Sequence, residues 1–178
     1  EFMVEDMDGE EVGDAILAYE DYLFIVICHK FKGDMRMVNV EKIDTIFRVD
    51  SVMTEGGTLE LANVIDRIDT SEEYVYEFNW NPNYIKWMQD KIAPLALAAT
   101  KDEIQVIGIV GGAVNDAIVD MQSSTGLEFP FYKADDILLK TIQRSNPGVV
   151  LMKDGKIIRK WHIRQLPDYE TIKSKYLK

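Results

Sequence analysis

The sequence predicts an α/β fold, a three-layer α/β/α sandwich with helices on both faces of a mixed central sheet whose inner strands are parallel and whose far edge is antiparallel. Three observations predict it. Tyr22 to Cys28 is an unbroken apolar run rich in β-branched and aromatic residues, the pattern of a strand buried on both faces. Ile104 to Val110 is a second such run, and helical patterns separate and follow the two, which makes the strands parallel neighbours. Toward the C-terminus, Val149 to Met152, Asp154-Gly155 and Lys156 to Trp161 spell a strand, a two-residue turn that needs positive φ, and a returning strand.

Phe2 to Asp6 alternates apolar and acidic residues before an Asp8-Gly9 turn, which predicts an opening hairpin or edge strand, followed by a short helical stretch at Asp14 to Tyr19. Residues from about 30 to 80 fit no simple unit and read as an insertion before the first long helix. Within it Lys32-Gly33-Asp34 looks like a loop, Val38 to Phe47 suits helix or strand, and Glu55-Gly56-Gly57-Thr58 is a turn. Leu59 to Ile68 has no recognisable period, while Tyr74, Tyr76 and Phe78 alternate as in a half-exposed strand.

Asn81-Pro82 pairs a capping residue with proline at the first helical position, so a helix starts there and carries Ile85, Met88, Ile92, Leu95 and Ala99 on one face. Pro94 interrupts that pattern and predicts a kink. Gly111-Gly112 ends the second buried strand; Val114, Ile118 and Met121 mark a helix up to Gly126. Phe129 to Tyr132 reads as a strand, and Asp135 caps a helix bearing Ile137, Leu138 and Ile142. Asn146-Pro147-Gly148 stops that helix before the hairpin, and Pro167 opens a last one with Tyr169, Ile172 and Tyr176.

At 178 residues the chain is read as one domain over 1–178 with the insertion inside it. A hydrophobic fraction of 47% and a charged fraction of 29% describe an ordinary globular protein, and no apolar run approaches the roughly 18 residues of a membrane span. The start on Glu1-Phe2-Met3-Val4, already strand-like, is what a piece cut from a longer protein would show. Twenty basic against 31 acidic residues give a net charge of -11, which repels phosphate backbones and anionic lipid and argues against a nucleic-acid partner.

Helix, proline turn, strand, Lys153-Asp154-Gly155-Lys156 turn, strand and closing helix resemble the end of the thioredoxin fold, and the match extends over about residues 1–29 and 81–178. Phe2-Met3-Val4-Glu5-Asp6-Met7-Asp8-Gly9-Glu10-Glu11-Val12, the block from Phe129 to Gly155, and Lys160-Trp161-His162-Ile163-Arg164-Gln165-Leu166-Pro167 are similar more narrowly to the thioredoxin-like domains of DoxX-type bacterial membrane proteins. That resemblance implies a domain on the periplasmic face of the inner membrane, tied to it only through a segment outside this sequence. It also implies that the Asn146-Pro147 bond is cis and faces the site where relatives hold an extended thiol substrate.

Thioredoxin chemistry needs two cysteines at the start of the first long helix, where the helix dipole favours a thiolate and the second sulfur resolves the mixed disulfide. Two placements of that motif are open: Lys32-Gly33-Asp34-Met35 just after the central strand, or Lys86-Trp87-Met88-Gln89, counted back from Ile92-Ala93-Pro94-Leu95. Neither contains a cysteine. Cys28 is the chain's one cysteine, so intramolecular dithiol exchange is excluded by composition.

Cys28 is expected to be a buried, inert thiol at the end of its strand, with His29 on the opposite face. It is the catalytic candidate only under the alternative that the protein is a one-cysteine oxidoreductase or peroxidase, and the residues before it lack the Thr or Ser and the Pro that a peroxidase thiol wants. His29 and His162 have no second ligand at close spacing and are expected to have hydrogen-bonded structural roles. Asp135-Asp136 reads as a helix cap, Glu10-Glu11 as a solvated face, and Gly108, Gly111 and Gly112 do not spell a nucleotide-binding fingerprint. No metal or cofactor is expected. The candidate binding groove is Asn146 and Pro147 with Trp87, an edge that can take a protein or peptide by strand addition. The favoured expectation is thus a redox-inactive accessory or interaction domain.

Overall fold

The computed structural model describes residues 2–178, which divide into two compact units: residues 2–34 with Phe78–Lys178, and Met35–Glu77. The first contains a six-stranded mixed sheet, the second most of a long two-stranded ribbon.

The sheet is made of β1 (Val4–Glu5), β2 (Leu23–Cys28), β5 (Gln105–Gly111), β6 (Phe131–Ala134), β7 (Gly148–Lys153) and β8 (Lys156–His162), in the spatial order β1-β6-β5-β2-β7-β8. Leu23 to Cys28 runs parallel to Gln105 to Val110, and β5 is parallel to β6, as the alternation of strands and helices predicts. On the other side β2 pairs antiparallel with β7, and β7 with β8. Both edges are antiparallel, because Val4 and Glu5 pair with Ala134 and Lys133 and complete the sheet with the opening segment.

Every residue of β2 is buried. Its even-numbered side chains, Phe24, Val26 and Cys28, join a core under the segment 82–101, α4 (Asn115–Thr125) and α6 (Tyr169–Tyr176). Leu23, Ile25 and Ile27 point to the opposite core, closed by α1 (Gly13–Leu17) and α5 (Asp136–Ile142). The alternation of one strand therefore serves two cores, which is why it reads as a continuous apolar run.

Local chemistry sets the ends of these elements. Asp154 and Gly155 have φ of 50° and 67°, the positive pair that a tight hairpin turn needs between β7 and β8. Gly126 ends α4 at φ 71°. Asp135 Oδ1 accepts the Ile137 and Leu138 N–H groups at 2.9 and 3.0 Å and starts α5. Leu139, rather than Ile137, is the fully buried residue of that helix, while Ile137 is exposed. Strand β6 begins two residues later than its apolar pattern suggests, because Pro130 has no N–H for the ladder; its carbonyl accepts the Gly108 N–H at 2.8 Å instead. The last helix is capped by Asp168, which accepts the Thr171 N–H at 2.8 Å, so Pro167 precedes the helix rather than opening it.

The predicted start of the long helix is present. Asn81 Oδ1 accepts the Tyr84 N–H at 3.1 Å, and Pro82 occupies the first turn of α2 (Pro82–Trp87). The helix continues through a π-helical turn at Met88–Ile92 into α3 (Ala93–Lys101). Pro94 cannot donate to the carbonyl four residues back, and the wider turn just before it accommodates that loss.

Between β2 and α2 run β3 (Gly33–Met53) and β4 (Leu59–Trp80), which pair as a ribbon. Val38 to Phe47 and Leu59 to Ile68, untyped by their sequence patterns, are therefore strands. The turn joining them is the expected glycine-rich one, with the Thr54 N–H donating to the Thr58 carbonyl at 2.9 Å.

Candidate functional site

The geometry worth testing for chemistry lies where the start of α2 meets the turn before β7. The Asn146-Pro147 bond is cis, as expected. Pro147 is buried and Asn146 half-buried. The Asn146 side chain bridges three segments: its Nδ2 donates to the Lys30 carbonyl at 2.9 Å, and its Oδ1 accepts from the Tyr84 hydroxyl at 3.3 Å. Behind it, Ser145 Oγ donates to the Pro147 carbonyl and accepts the Ile163 N–H at 3.0 Å. Gln143 Oε1 accepts the Ser145 N–H at 3.2 Å while its Nε2 donates to the Trp161 carbonyl at 3.1 Å. Buried polar side chains thus hold the turn against β8 by hydrogen bonds.

Asn81, Pro82 and Asn83 are exposed beside this turn, and Tyr84 is buried. A cavity of about 370 Å³ adjoins them, lined by Lys32, Gly33, Asp34, Asn79, Trp80, Asn81 and Pro82. Trp80 stacks on Phe78 with ring centroids 5.1 Å apart, and its Nε1–H donates to Asp120 Oδ2 at 2.6 Å.

Both sequence placements of a cysteine pair miss the helix start. Gly33 to Met35 begin strand β3, and Lys86 to Gln89 lie beyond the first turn of the helix. The exposed helix start is Asn81-Pro82-Asn83-Tyr84, and it too lacks cysteine. Counting back from Pro94 goes astray because the helix begins twelve residues before that proline and passes through a π-helical turn.

Cys28 ends β2 in the core, fully buried. Burial pushes its thiol up to about 12, with the adjacent Tyr84 hydroxyl acting in the opposite direction. Burial is also the main reason the Tyr84 hydroxyl is raised well above its ordinary value, and the neighbouring Cys28 adds to it. Neither group is a thiolate or phenolate at neutral pH. The thiol is buried, as its position in the strand suggests.

His29 is buried, and its Nε2–H donates to the Gln143 carbonyl. His162 Nδ1 accepts the Arg164 N–H at 3.1 Å and caps the short 3-10 turn Ile163–Gln165. Both histidines have the structural hydrogen bonds expected of them. Asp135 caps α5, and Glu11 Oε1 accepts the Gly13 N–H at 2.8 Å. Among the described residues no group of three His, Cys, Asp or Glu side chains is placed to hold a metal ion.

Trp87 is half-buried at the end of α2, with the Arg164 guanidinium 5.9 Å from its ring centroid. The aromatic residue that bonds Asn146 is Tyr84, one turn earlier. The Asn81-Pro82 capping signal already placed Tyr84 in the first turn. No sequence signal marked Gln143 or Ser145, because their partners are backbone groups far along the chain.

No protein-family model matches the sequence, and no curated protein is significantly similar to it. Solved structures do match its fold. A proposed thioredoxin from Neisseria meningitidis superposes with a TM-score of 0.50 at 15% identity, covering 98% of this chain and 83% of that one. A proposed protein disulfide isomerase from Bacteroides thetaiotaomicron gives 0.50 at 14% identity, over 97% of this chain and 80% of that one. The fold is thioredoxin-like. StoA from Bacillus subtilis gives 0.49 at 11% identity over 97% of this chain and 93% of that one. At these identities the likeness is one of fold, and what the chain does depends on its own residues. Those residues place one buried cysteine in a thioredoxin-like scaffold.

Proposed function

We propose that this protein uses a thioredoxin-like scaffold as a redox-inactive interaction domain. The observation that carries the reading is the helix start, where Asn81 and Tyr84 stand beside the cis-proline turn while the only cysteine, Cys28, is fully buried at the end of β2. Disulfide exchange needs an accessible thiolate and a second sulfur to release the mixed disulfide. Cys28 has neither, and its raised pKa also disfavours the one-cysteine oxidoreductase.

The binding groove is the exposed surface formed by Asn81 to Asn83, Asn146 beside the buried Pro147, and Trp87 at its margin. Its ligand is an extended protein or peptide segment that lies along the turn before β7. The turn's internal hydrogen bonds support this, since a preorganised turn loses little freedom when it is occupied. Localisation follows the DoxX-type resemblance of Phe129 to Gly155 and Lys160 to Pro167: the domain sits on the periplasmic face of the inner membrane, joined to it by a segment outside this sequence.

Insulin reduction with dithiothreitol as electron donor tests the redox reading. The expected result is no turnover above the donor alone. Turnover that disappears in Cys28→Ser would overturn it. Protease accessibility of the full-length gene product in intact and in lysed spheroplasts tests the localisation, with cleavage in the intact spheroplasts expected.

A further inference from the structure

Near its turn the ribbon of β3 and β4 presents an uncharged apolar face, and the register there defines that face. Thr54 and Thr58 lie opposite one another, since the Thr54 N–H donates to the Thr58 carbonyl at 2.9 Å and the Thr58 N–H to Thr54 Oγ1 at 3.3 Å. Successive side chains on a strand point to opposite sides. Met53, Val49 and Phe47 of β3 therefore share one face with Leu59, Leu61 and Ile65 of β4. Arg48 and Asp66, each one residue off this set, form a diagonal ion pair across the strands at 3.7 Å, as neighbours on the reverse face of that register do.

The six apolar side chains are between 58% and 76% exposed. Along Phe47 to Met53 and Leu59 to Ile65 the face adds only Ser51 and Asn63, with no charged residue; Arg67, opposite Thr45, lies beyond its end. The reverse face carries Asp44, Arg48, Asp50, Glu60 and Asp66, with Arg48 paired to Asp50 at 2.9 Å. A two-stranded ribbon is marginal in water by itself, and a contiguous apolar face of this kind marks an interaction site.

We propose that this face packs against the same face of a second copy of the chain, forming a two-fold symmetric pair of stacked ribbons with their charged faces outward. An isologous contact needs a surface that complements itself, and a face without charge meets its copy without opposing like charges. The net charge of -11 and the acidic reverse face oppose association through the ribbon's other side or with anionic lipid. The area is sufficient. Six side chains at roughly 100 Å² each bury about 600 Å² per copy and about 1,200 Å² in the pair, the lower bound of stable interfaces.

Light scattering coupled to size exclusion, at micromolar concentration, tests this on the intact chain. The expected result is a dimer that becomes monomeric in the double variant Phe47→Glu, Leu61→Glu. Cysteine cross-linking gives a second readout that does not depend on that variant folding. Leu61→Cys, on the proposed interface, is expected to form a disulfide-linked dimer under copper phenanthroline, and Val64→Cys, on the reverse face, to stay uncrosslinked. The native Cys28 is buried and does not contribute. A wild-type monomer, a dimer that survives the double substitution, or equal cross-linking at both positions would overturn the proposal. So would a monomer that co-sediments with phosphatidylcholine vesicles and loses that binding in the double variant, which would assign the face to a lipid surface.

Discussion

The Tyr84 hydroxyl donates to Asn146 Oδ1 at 3.3 Å, although one residue lies in the first turn of the long helix and the other in the turn before β7. Asn146 Nδ2 in turn donates to the Lys30 carbonyl at 2.9 Å, just past the end of β2. These two bonds link α2, the turn before β7 and the segment that follows β2. Replacing Tyr84 by Phe leaves the ring in place but removes the donor to Asn146 Oδ1. Urea unfolding is expected to show a loss of about 1–3 kcal/mol. Tyr84→Ala also opens a cavity and is expected to cost more, about 3–5 kcal/mol. Equal stabilities for wild type and Tyr84→Phe would show that the hydroxyl bond contributes nothing.

Cys28 also sets a pH dependence. Its thiol titrates at about 12 in the folded chain, against an ordinary value of 9.0. Raised pKa means that the folded state holds the proton more tightly, so the stability it contributes is complete below about 9 and is lost as pH rises through 9 toward 12. Wild-type stability is expected to fall more steeply over that range than the stability of Cys28→Ala, in urea melts taken at successive pH values. Parallel curves would mean that the thiol titrates normally. Native protein is also expected to react with a thiol reagent at neutral pH only after denaturation.

How much of this was legible depends on whether the physics is local. The β2 and β5 strands, the Asp154-Gly155 hairpin and the Asn81 and Asp135 caps are written in neighbouring residues, so their patterns alone identify them. The ribbon was opaque because an exposed strand pair needs no sustained buried face: Val38 to Phe47 and Leu59 to Ile68 carry apolar residues on both sides, which blurs the period of two that marks a half-buried strand. The helix start near the cis-proline turn was legible, but its bond to that turn was not. Contacts such as Tyr84 with Asn146 and Gln143 with the Trp161 carbonyl join distant segments, and no spacing in the chain encodes them.

Gly148 begins β7 directly after the cis-proline turn, and a Cβ there would lie 2.4 Å from Gln143 Cγ and 2.8 Å from Cδ. Gln143 cannot yield freely, because its amide bonds the Trp161 carbonyl and the Ser145 N–H. Gly148→Ala is therefore expected to destabilise by about 1–3 kcal/mol, through overpacking and displaced hydrogen bonds. The same variant should speed amide hydrogen exchange at Ser145 and Ile163, whose N–H groups depend on this turn. Loss of stability without faster exchange at those two amides would place the strain elsewhere.

Asp102 governs the acid side. At the end of α3 it accepts from Lys173 Nζ at 2.6 Å and from the Tyr169 hydroxyl at 2.6 Å, joining that helix to α6. The Lys173 bond first, and then the Tyr169 bond, hold its carboxyl below the ordinary value of 3.8. A lowered pKa means that the unfolded chain takes up the proton first. The stability Asp102 contributes is present above about 3.8 and is lost as pH falls toward the lower folded value. Asp102→Asn removes the titration while keeping an acceptor for Tyr169, and its stability is expected to fall less between pH 4 and pH 2 than that of wild type. The comparison is made in urea melts at fixed ionic strength, since the Lys173 pair is partly exposed and screened by salt. Identical acid slopes for the two proteins would show that Asp102 contributes no net linkage and that the contact with α6 is held by Tyr169 and Ile172 packing alone.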